Sequence, residues 1–301
     1  WLLEGDVSLQ YQVHRDLLGN NRKDLQDRIA EEGWGKQLLS KRNSNGHWGD
    51  RFYQPKWIST HYTLLDLRNL SLNPENGISK EAIELTLNLG IAEDGGIPLG
   101  PSTSKYSDVC VNGMFLNYAS YFKTDEKKLC PIVNCILNEI MSDGGFNCQT
   151  NRSGARHSSL HSTISALEGL IAYQKAGYSY RLNELQNAQK SAEEFILLHQ
   201  LFLSDHTGEI IRKDFLNLPY PSRWKYDILR ALDYFQYSGS KWDERMNPAI
   251  QVLLKKQNND STWNVQAKHP GKVHFEMEKA GKPSRWNTLR AMRVLEHFKI
   301  E

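Results

Sequence analysis

The sequence predicts an all-α fold, an α/α toroid of about five to six helix pairs with inner and outer helices. Three observations carry this. One short word recurs five times along the 301 residues. A polar, mostly glycine-rich loop precedes each copy. Helical apolar spacing flanks every loop on both sides.

The recurring words are Pro55-Lys56-Trp57, Ser104-Lys105-Tyr106, Ala155-Arg156-His157, Pro221-Ser222-Arg223-Trp224 and Pro283-Ser284-Arg285-Trp286. Their aromatic or histidine anchors stand 49 to 67 residues apart. Each opens a run spaced like a helix, such as Ile58, Leu64, Leu65 and Leu67, or Ile228, Leu229, Leu232 and Phe235. The loops lie at 43–50, 93–101, 142–149, 204–210 and 258–264. Glycine there supplies backbone angles that other residues resist, and Asp, Asn and Ser suit turns and helix ends. Before each loop a second helical stretch is expected, at about 22–41, 79–90, 126–141, 183–202 and 243–257, with a further helix near 7–18. No segment reads as a strand. No linker or low-complexity tract divides the chain, so the reading is one domain: a helical extension at 1–21, then repeats at about 22–75, 76–123, 124–178, 179–240 and 241–301. An open solenoid needs polar capping repeats, and the terminal repeats here are as aromatic as the middle ones. A closed ring needs no caps, and the helices after the loops would form its inner layer.

Composition narrows the function classes. Hydrophobic residues make up 39% and charged residues 24%, a globular balance. Mean hydropathy is −0.60, and no apolar run is long enough to span a bilayer. A net charge of +2 gives no electrostatic case for nucleic acid. Cys110, Cys130, Cys135 and Cys148 show no C-x-x-C pairing, and no signal-peptide pattern opens the sequence. The expectation is reduced thiols in a cytoplasmic protein.

The D-G-G loops (Asp94-Gly95-Gly96 and Asp143-Gly144-Gly145-Phe146), the Asn45-Gly46-His47-Trp48 loop and the helix openings resemble the prenyltransferase and squalene-oxidase repeat of the terpene cyclase and protein prenyltransferase superfamily. The likeness runs over about residues 30–298. It implies a helical ring and a hydrophobic, isoprenoid-type ligand. The D-x-D-D acid motif of squalene–hopene-type cyclases is absent. Lys105-Tyr106-Ser107-Asp108-Val109-Cys110 matches the K-x-x-D-x-C of zinc-binding prenyltransferase β subunits, but aligning the later helix puts Ser162 or Ser159, not His161, on the family's histidine.

Four constellations could carry chemistry. A base precedes every anchor: Lys56, Lys105, Arg156, Arg223 and Arg285. With helix N-termini on the same rim, they would bind an anion such as a diphosphate, carboxylate or sulfate. Alternatively each base pairs with a loop acid, Asp50, Asp94 or Asp143, and ties the repeats together. Four residues past the anchor stand His61, Cys110 and His161, with Asp108 close by. These would make a zinc shell, or else packed and hydrogen-bonded side chains. Trp57, Tyr106, His157, Trp224 and Trp286, with Trp48, Tyr62, Phe146, Tyr226 and Trp263, would line an aromatic pocket or simply fill the core. A long loop carrying His269, His274, Glu276 and Glu278 would edge the site or lie in solvent.

The leading function is a transferase- or cyclase-like protein binding a small hydrophobic or anionic ligand, with Asp108, Asp227 and His161 as candidate catalytic groups. A carbohydrate-active enzyme of the α/α-barrel type is the second reading. It needs two carboxylates, and Asp108 with Asp227 is the pair to test. A non-catalytic ring that binds a ligand or a protein partner is the third.

Overall fold

Burial separates two kinds of helix. The computed structural model describes residues 1–100, 105–266 and 268–300. Its α-helices are α1 (Val7–Asp16), α2 (Lys23–Arg28), α3 (Gly33–Leu39), α4 (Thr60–Asn69), α5 (Gly77–Asn88), α6 (Val109–Tyr121), α7 (Glu126–Asn138), α8 (Thr150–Ser153), α9 (Leu160–Lys175), α10 (Leu182–Leu198), α11 (Ile228–Ser238), α12 (Asn247–Lys255) and α13 (Arg285–Phe298). The helices that follow the loops are buried nearly all round. In α6 every residue but Cys110 and Tyr121 is buried, and in α9 only His161, Glu168, Gln174 and Lys175 are not. A helix apolar on every side belongs to a core. Helices that precede the loops bury one stripe only: Ser79, Ala82, Ile83 and Thr86 in α5, and Ala249, Ile250 and Leu253 in α12. The inner and outer roles expected from the sequence follow from this difference.

Packing divides the chain into two compact units. The first comprises 1–34, 196–270 and 275–301, so it draws on both chain ends; α1 packs against α13, and α13 against α11. The second comprises 35–195 with 271–274. Within it α6 packs on α4, α7 and, most extensively, α9. The α6–α9 crossing is close because glycines meet there. A Cβ at Gly113 would strike the Ser165 carbonyl, and one at Gly169 would strike the Gly113 carbonyl.

The five loops share one closure. An N–H donates to a carbonyl four or five residues on: Asn43 to His47 (2.7 Å), Ala92 to Gly96 (2.9 Å), Met141 to Gly145 (2.9 Å), Ser204 to Glu209 (2.7 Å) and Asn258 to Thr262 (2.8 Å). In four repeats the next N–H donates to a side chain in the first turn of the inner helix. Trp48 and Trp263 reach Thr60 and Thr288 Oγ1 at 3.1 Å, Phe146 reaches Thr163 Oγ1 at 3.0 Å, and Ile97 reaches Asn112 Oδ1 at 2.8 Å. Trp48 and Trp263 also donate their indole N–H to Leu38 O (2.7 Å) and Leu253 O (2.8 Å) on the helix before the loop. The fourth repeat departs from this, since Ile210 follows the turn exposed and bridged to Leu203.

Two expectations are corrected. The stretch 22–41 is two short helices, broken before Gly33 at φ +61°. The last repeat holds a small antiparallel ladder, β1 (Trp263–Asn264) with β2 (Pro283–Ser284), where no strand was expected. The anchors are not equally buried: Trp57 and Trp286 are, while Tyr106 and His157 are exposed.

In the first unit, Asp233 on α11 accepts from Arg290 Nε (3.1 Å) and Arg293 Nε (2.6 Å), and Arg293 also reaches Asp16 (2.9 Å). Burial alone would raise the Asp233 carboxyl, but the two guanidiniums outweigh it and hold it below the ordinary range. Its stabilisation is therefore present above the usual carboxyl pKa and is lost as pH falls through the depressed native value. Replacing Asp233 by Ala takes the carboxylate from the largely buried Arg290 and leaves Arg293 with Asp16, and should cost about 3 kcal/mol at neutral pH. Urea unfolding of wild type and variant checks this, and the gap between them should narrow in acid.

Candidate functional site

The start of α13 in the first unit collects polar atoms that the rest of the core does not satisfy. Ser284 caps α13, its Oγ accepting from Asn287 N at 2.8 Å. Glu278, from the long loop, reaches the same helix start. Its Oε1 accepts from Arg285 N (2.9 Å) and Trp286 N (3.3 Å), the free N–H groups of a first turn. Its Oε2 is buried, as are Trp286 Nε1, Asn287 Oδ1 and Asp227 Oδ2. Ser284 and Ser222 lie close enough to lower the Glu278 and Asp227 carboxyls, which leaves Trp286 Nε1 and Asn287 Oδ1 as the atoms here with no protein partner among the described residues.

An aromatic stack stands beside them. Tyr220 lies flat on Trp286, with centroids 5.2 Å apart and planes 5° from parallel, and Trp34 stacks on Trp286 at 6.1 Å. Tyr220 and Trp34 are half-buried, so the stack is not sealed. Tyr220 also brings the 220–227 segment to this place. Within that segment Ser222 O accepts from His269 Nε2 at 3.1 Å, Arg223 is buried at φ +58°, and Asp227 caps α11 with Oδ1 accepting from Arg230 N at 2.8 Å. Arg290 acts on both Asp227 and Asp233, and Arg293 lies one turn further along at Asp233. The partners thus advance in the same order on α11 and α13, and the two N-termini share one end.

The electrostatics set the protonation states. Burial pushes the Glu278 and Asp227 carboxyls up. Burial, then Lys225, pushes His269 down to about 4. A carbonyl can only accept, so His269 holds its proton on Nε2 and keeps Nδ1 as the lone-pair nitrogen.

The second unit holds the other sequence candidates. His61 is completely buried, its Nδ1 3.2 Å from Tyr118 OH; burial, then Lys56, lowers it to about 3. Among the described residues no group of three or more His, Cys, Asp and Glu is placed to hold a metal. The expected zinc shell of Asp108, Cys110, His161 and His61 is thus not assembled. Asp108 is the buried N-cap of α6 and makes no side-chain cap bond. Cys110 N donates to Cys148 Sγ at 3.3 Å, and His161 is a half-exposed residue of α9.

The contacts observed around the loop acids and the bases are of other kinds. Asp94 and Asp143 accept from the backbone N–H of Ser107 and Ser158. Lys56 stands over Tyr53 and Trp57 (5.9 and 5.0 Å), Lys105 over Tyr106 (5.5 Å) and Arg285 over Trp1 (4.8 Å). Arg156 and His157 are exposed, and Ser104 lies outside the described residues. Trp224 is half-buried, with Lys225 Nζ over its ring at 5.9 Å. Of the long loop, His274 meets Thr63 Oγ1 at 2.9 Å in the second unit, and Glu276 pairs with Lys268. Asp108 and Asp227 belong to different units, and Asp227 has no exposed surface. Sequence reading passed over Trp34 and Tyr220. Tyr220 stands immediately before the fourth recurring word, and that adjacency was its one available signal.

No family model matches the chain, and no curated protein matches it. Two solved structures are similar across most of its length. One is a glycosyl hydrolase family 88 protein from Bacteroides vulgatus, with a TM-score of 0.53 and 13% identity. The other is a polysaccharide lyase, with a TM-score of 0.54 and 10% identity. Each alignment covers 97% of this chain and 89% of the other. The likeness shows the fold class, an all-α fold of the α/α-toroid type. Among the described residues no helix is long and apolar enough to cross a membrane.

A raised native carboxyl binds its proton more tightly than the unfolded chain does, so stability falls as pH rises from the ordinary carboxyl range through the native value. Glu278→Gln keeps an acceptor for Arg285 N and Trp286 N and removes that titration. The variant should match or exceed wild-type stability at neutral pH and lose less of it between pH 4 and 7. Thermal melts across that range measure the difference.

Proposed function

We propose that the chain is a carbohydrate-active enzyme acting on acidic oligosaccharides, with its sugar site at the starts of α11 and α13 in the first unit. The observation that carries this reading is the stack of Tyr220, Trp286 and Trp34 beside the Glu278 carboxyl, which burial shifts upward. Pyranose rings pack on flat aromatic faces, and Tyr and Trp rings combine an apolar body with a polar edge. Asn287, which like Asp227 has no exposed surface, would hold the floor of the stack through its bonds to Leu218 O and Asn264 O. Arg223 and Arg285, expected from the sequence to hold an anion, suit a uronic acid carboxylate.

Glu278 would be the general acid. Its raised affinity for a proton suits donation to a departing glycosidic oxygen near neutral pH. His269 would take up a proton at Nδ1, either from water in hydrolysis or from a ring carbon in elimination. Asp227, without exposed surface, would act through α11 and Arg230 rather than on substrate, so it is a positioning residue here. Asp108 and His161 have no part in this scheme. The glycosyl hydrolase and the polysaccharide lyase among the similar structures support a sugar ligand over an isoprenoid one. The zinc that an isoprenoid transferase reading would use has no assembled ligand set among the described residues.

The test is fragmentation of a panel of neutral and uronic-acid oligosaccharides, followed by chromatography and by the ultraviolet absorbance of any product double bond. Cleavage of an acidic member is expected. Trp286→Ala should weaken its binding by about tenfold or more, given about 1.4 kcal/mol per decade. Glu278→Gln should lower kcat by about 10²–10⁴ with little change in KM. Turnover that survives Glu278→Gln, or a panel on which nothing binds, would overturn the assignment.

A further inference from the structure

Cys110 and Cys148 belong to the second unit, and the proposed reaction uses neither. They come from separated segments: Cys110 is in the first turn of α6, and Cys148 lies in the third loop, just before α8. The fold presses them together. Cys110 N, at the start of a helix of 13 residues, donates to Cys148 Sγ at 3.3 Å. Ser162 Oγ on α9 donates to the same sulfur at 3.3 Å, while Cys148 N donates back to Ser162 Oγ at 3.1 Å. The repeat fixes this meeting. Phe146 N is held by Thr163 and Cys148 N by Ser162, so the loop runs along the start of α9 and delivers its thiol to the start of α6. Both cysteines are partly exposed and both are reduced.

Two donors and a helix N-terminus aimed at one sulfur favour its thiolate, the form that reacts. The charged and titratable groups near it are Cys110, Asp108 and Tyr53; the hydrogen bond with Cys110 outweighs burial and the Asp108 charge and holds the Cys148 thiol below the ordinary range. The other two cysteines are set differently. Cys130 donates to Glu126 O, and burial pushes its thiol up. Cys135 is buried, and burial pushes it up to about 12.

We propose that Cys148 is a peroxide-sensitive modification site and that Cys110 is its resolving thiol, the pair closing to a disulfide that joins the third loop to α6. The oxidant is a hydroperoxide. The Cys148 thiolate attacks the terminal peroxide oxygen, the O–O bond breaks, and the departing oxygen takes a proton to leave as water or an alcohol; the sulfur is then a sulfenic acid. The Cys110 sulfur attacks that sulfur, the S–O bond breaks and a second water leaves. One peroxide is reduced by two electrons, and two thiols are oxidised to one disulfide. A thiol reductant reverses the change.

The test uses the intact wild-type chain, with Cys130 and Cys135 as internal references. The protein is exposed to hydrogen peroxide, quenched by alkylation and digested with a protease that cuts after aromatic residues. Cleavage after Phe146 separates Cys148 from Cys130 and Cys135. The expected product is a Cys110–Cys148 linked peptide two hydrogens lighter than its parts, reversed by dithiothreitol, and forming at least about tenfold faster than any oxidation of Cys130 or Cys135. Cys110→Ser should abolish the link and leave a Cys148 sulfenic acid that dimedone traps. Oxidation of all four thiols at similar rates, or a Cys148 sulfenic acid that persists in the wild type without linking to Cys110, would overturn the proposal.

Discussion

A backbone N–H that leaves a tight loop inside a protein core needs an acceptor, and here a side chain in the first turn of the next helix provides it. Leaving such a donor buried and unpaired costs about 1–3 kcal/mol. The loop is thereby pinned to the start of the inner helix within hydrogen-bond tolerance. Trp48 on Thr60, Ile97 on Asn112, Phe146 on Thr163 and Trp263 on Thr288 are four instances of one joint. In the first and last repeats the indole N–H adds a second bond to the preceding helix. Loop and inner helix are therefore fixed together in four of the five repeats, and the Cys148 loop and the start of α13 inherit their geometry from this joint. The thiol of Cys148 reaches α6 because its loop is held at Phe146. In the last repeat the same joint and the two-residue ladder set the start of α13, where Glu278 and Trp286 stand.

Much of the architecture was legible because burial follows period. The α6 word VCVNGMFLNYASY has no polar face and reads as core, whereas GISKEAIELTLN in α5 shows one apolar stripe. The five loops could be placed from Gly, Asp and Asn alone. Less visible were details that period does not encode. The break between α2 and α3 falls on a positive φ at Gly33, and the β1–β2 ladder is two residues long, shorter than any pattern can register. Alignment also made the five anchors look equivalent. Trp286 is covered by Tyr220 and Trp34, whereas Tyr106, with Lys105 over its ring, stays exposed. A sequence word fixes a side chain's position along the chain but not which other segment folds onto it.

The candidate site shows the same division. Arg285, Trp286, Arg223 and Asp227 were identified by their repeat positions, and Glu278 and His269 by the length of their loop. Trp34 and Tyr220 complete the stack from segments that carry no unusual pattern. The metal reading failed for a geometric reason. Equal offsets from the anchor put His61, Cys110 and His161 on equivalent helices, yet His61 points into an aromatic core of Phe52, Tyr53, Tyr62 and Tyr118, and Cys110 meets Cys148. Equal register does not make side chains converge.

The central functional claim is that sugar binds at the starts of α11 and α13, and hydrogen–deuterium exchange of the intact chain tests it without relying on turnover. With a saturating acidic oligosaccharide, protection should concentrate in peptides spanning 218–230 and 276–290. Protection confined to the second unit, with those two stretches exchanging as in the free chain, would contradict it.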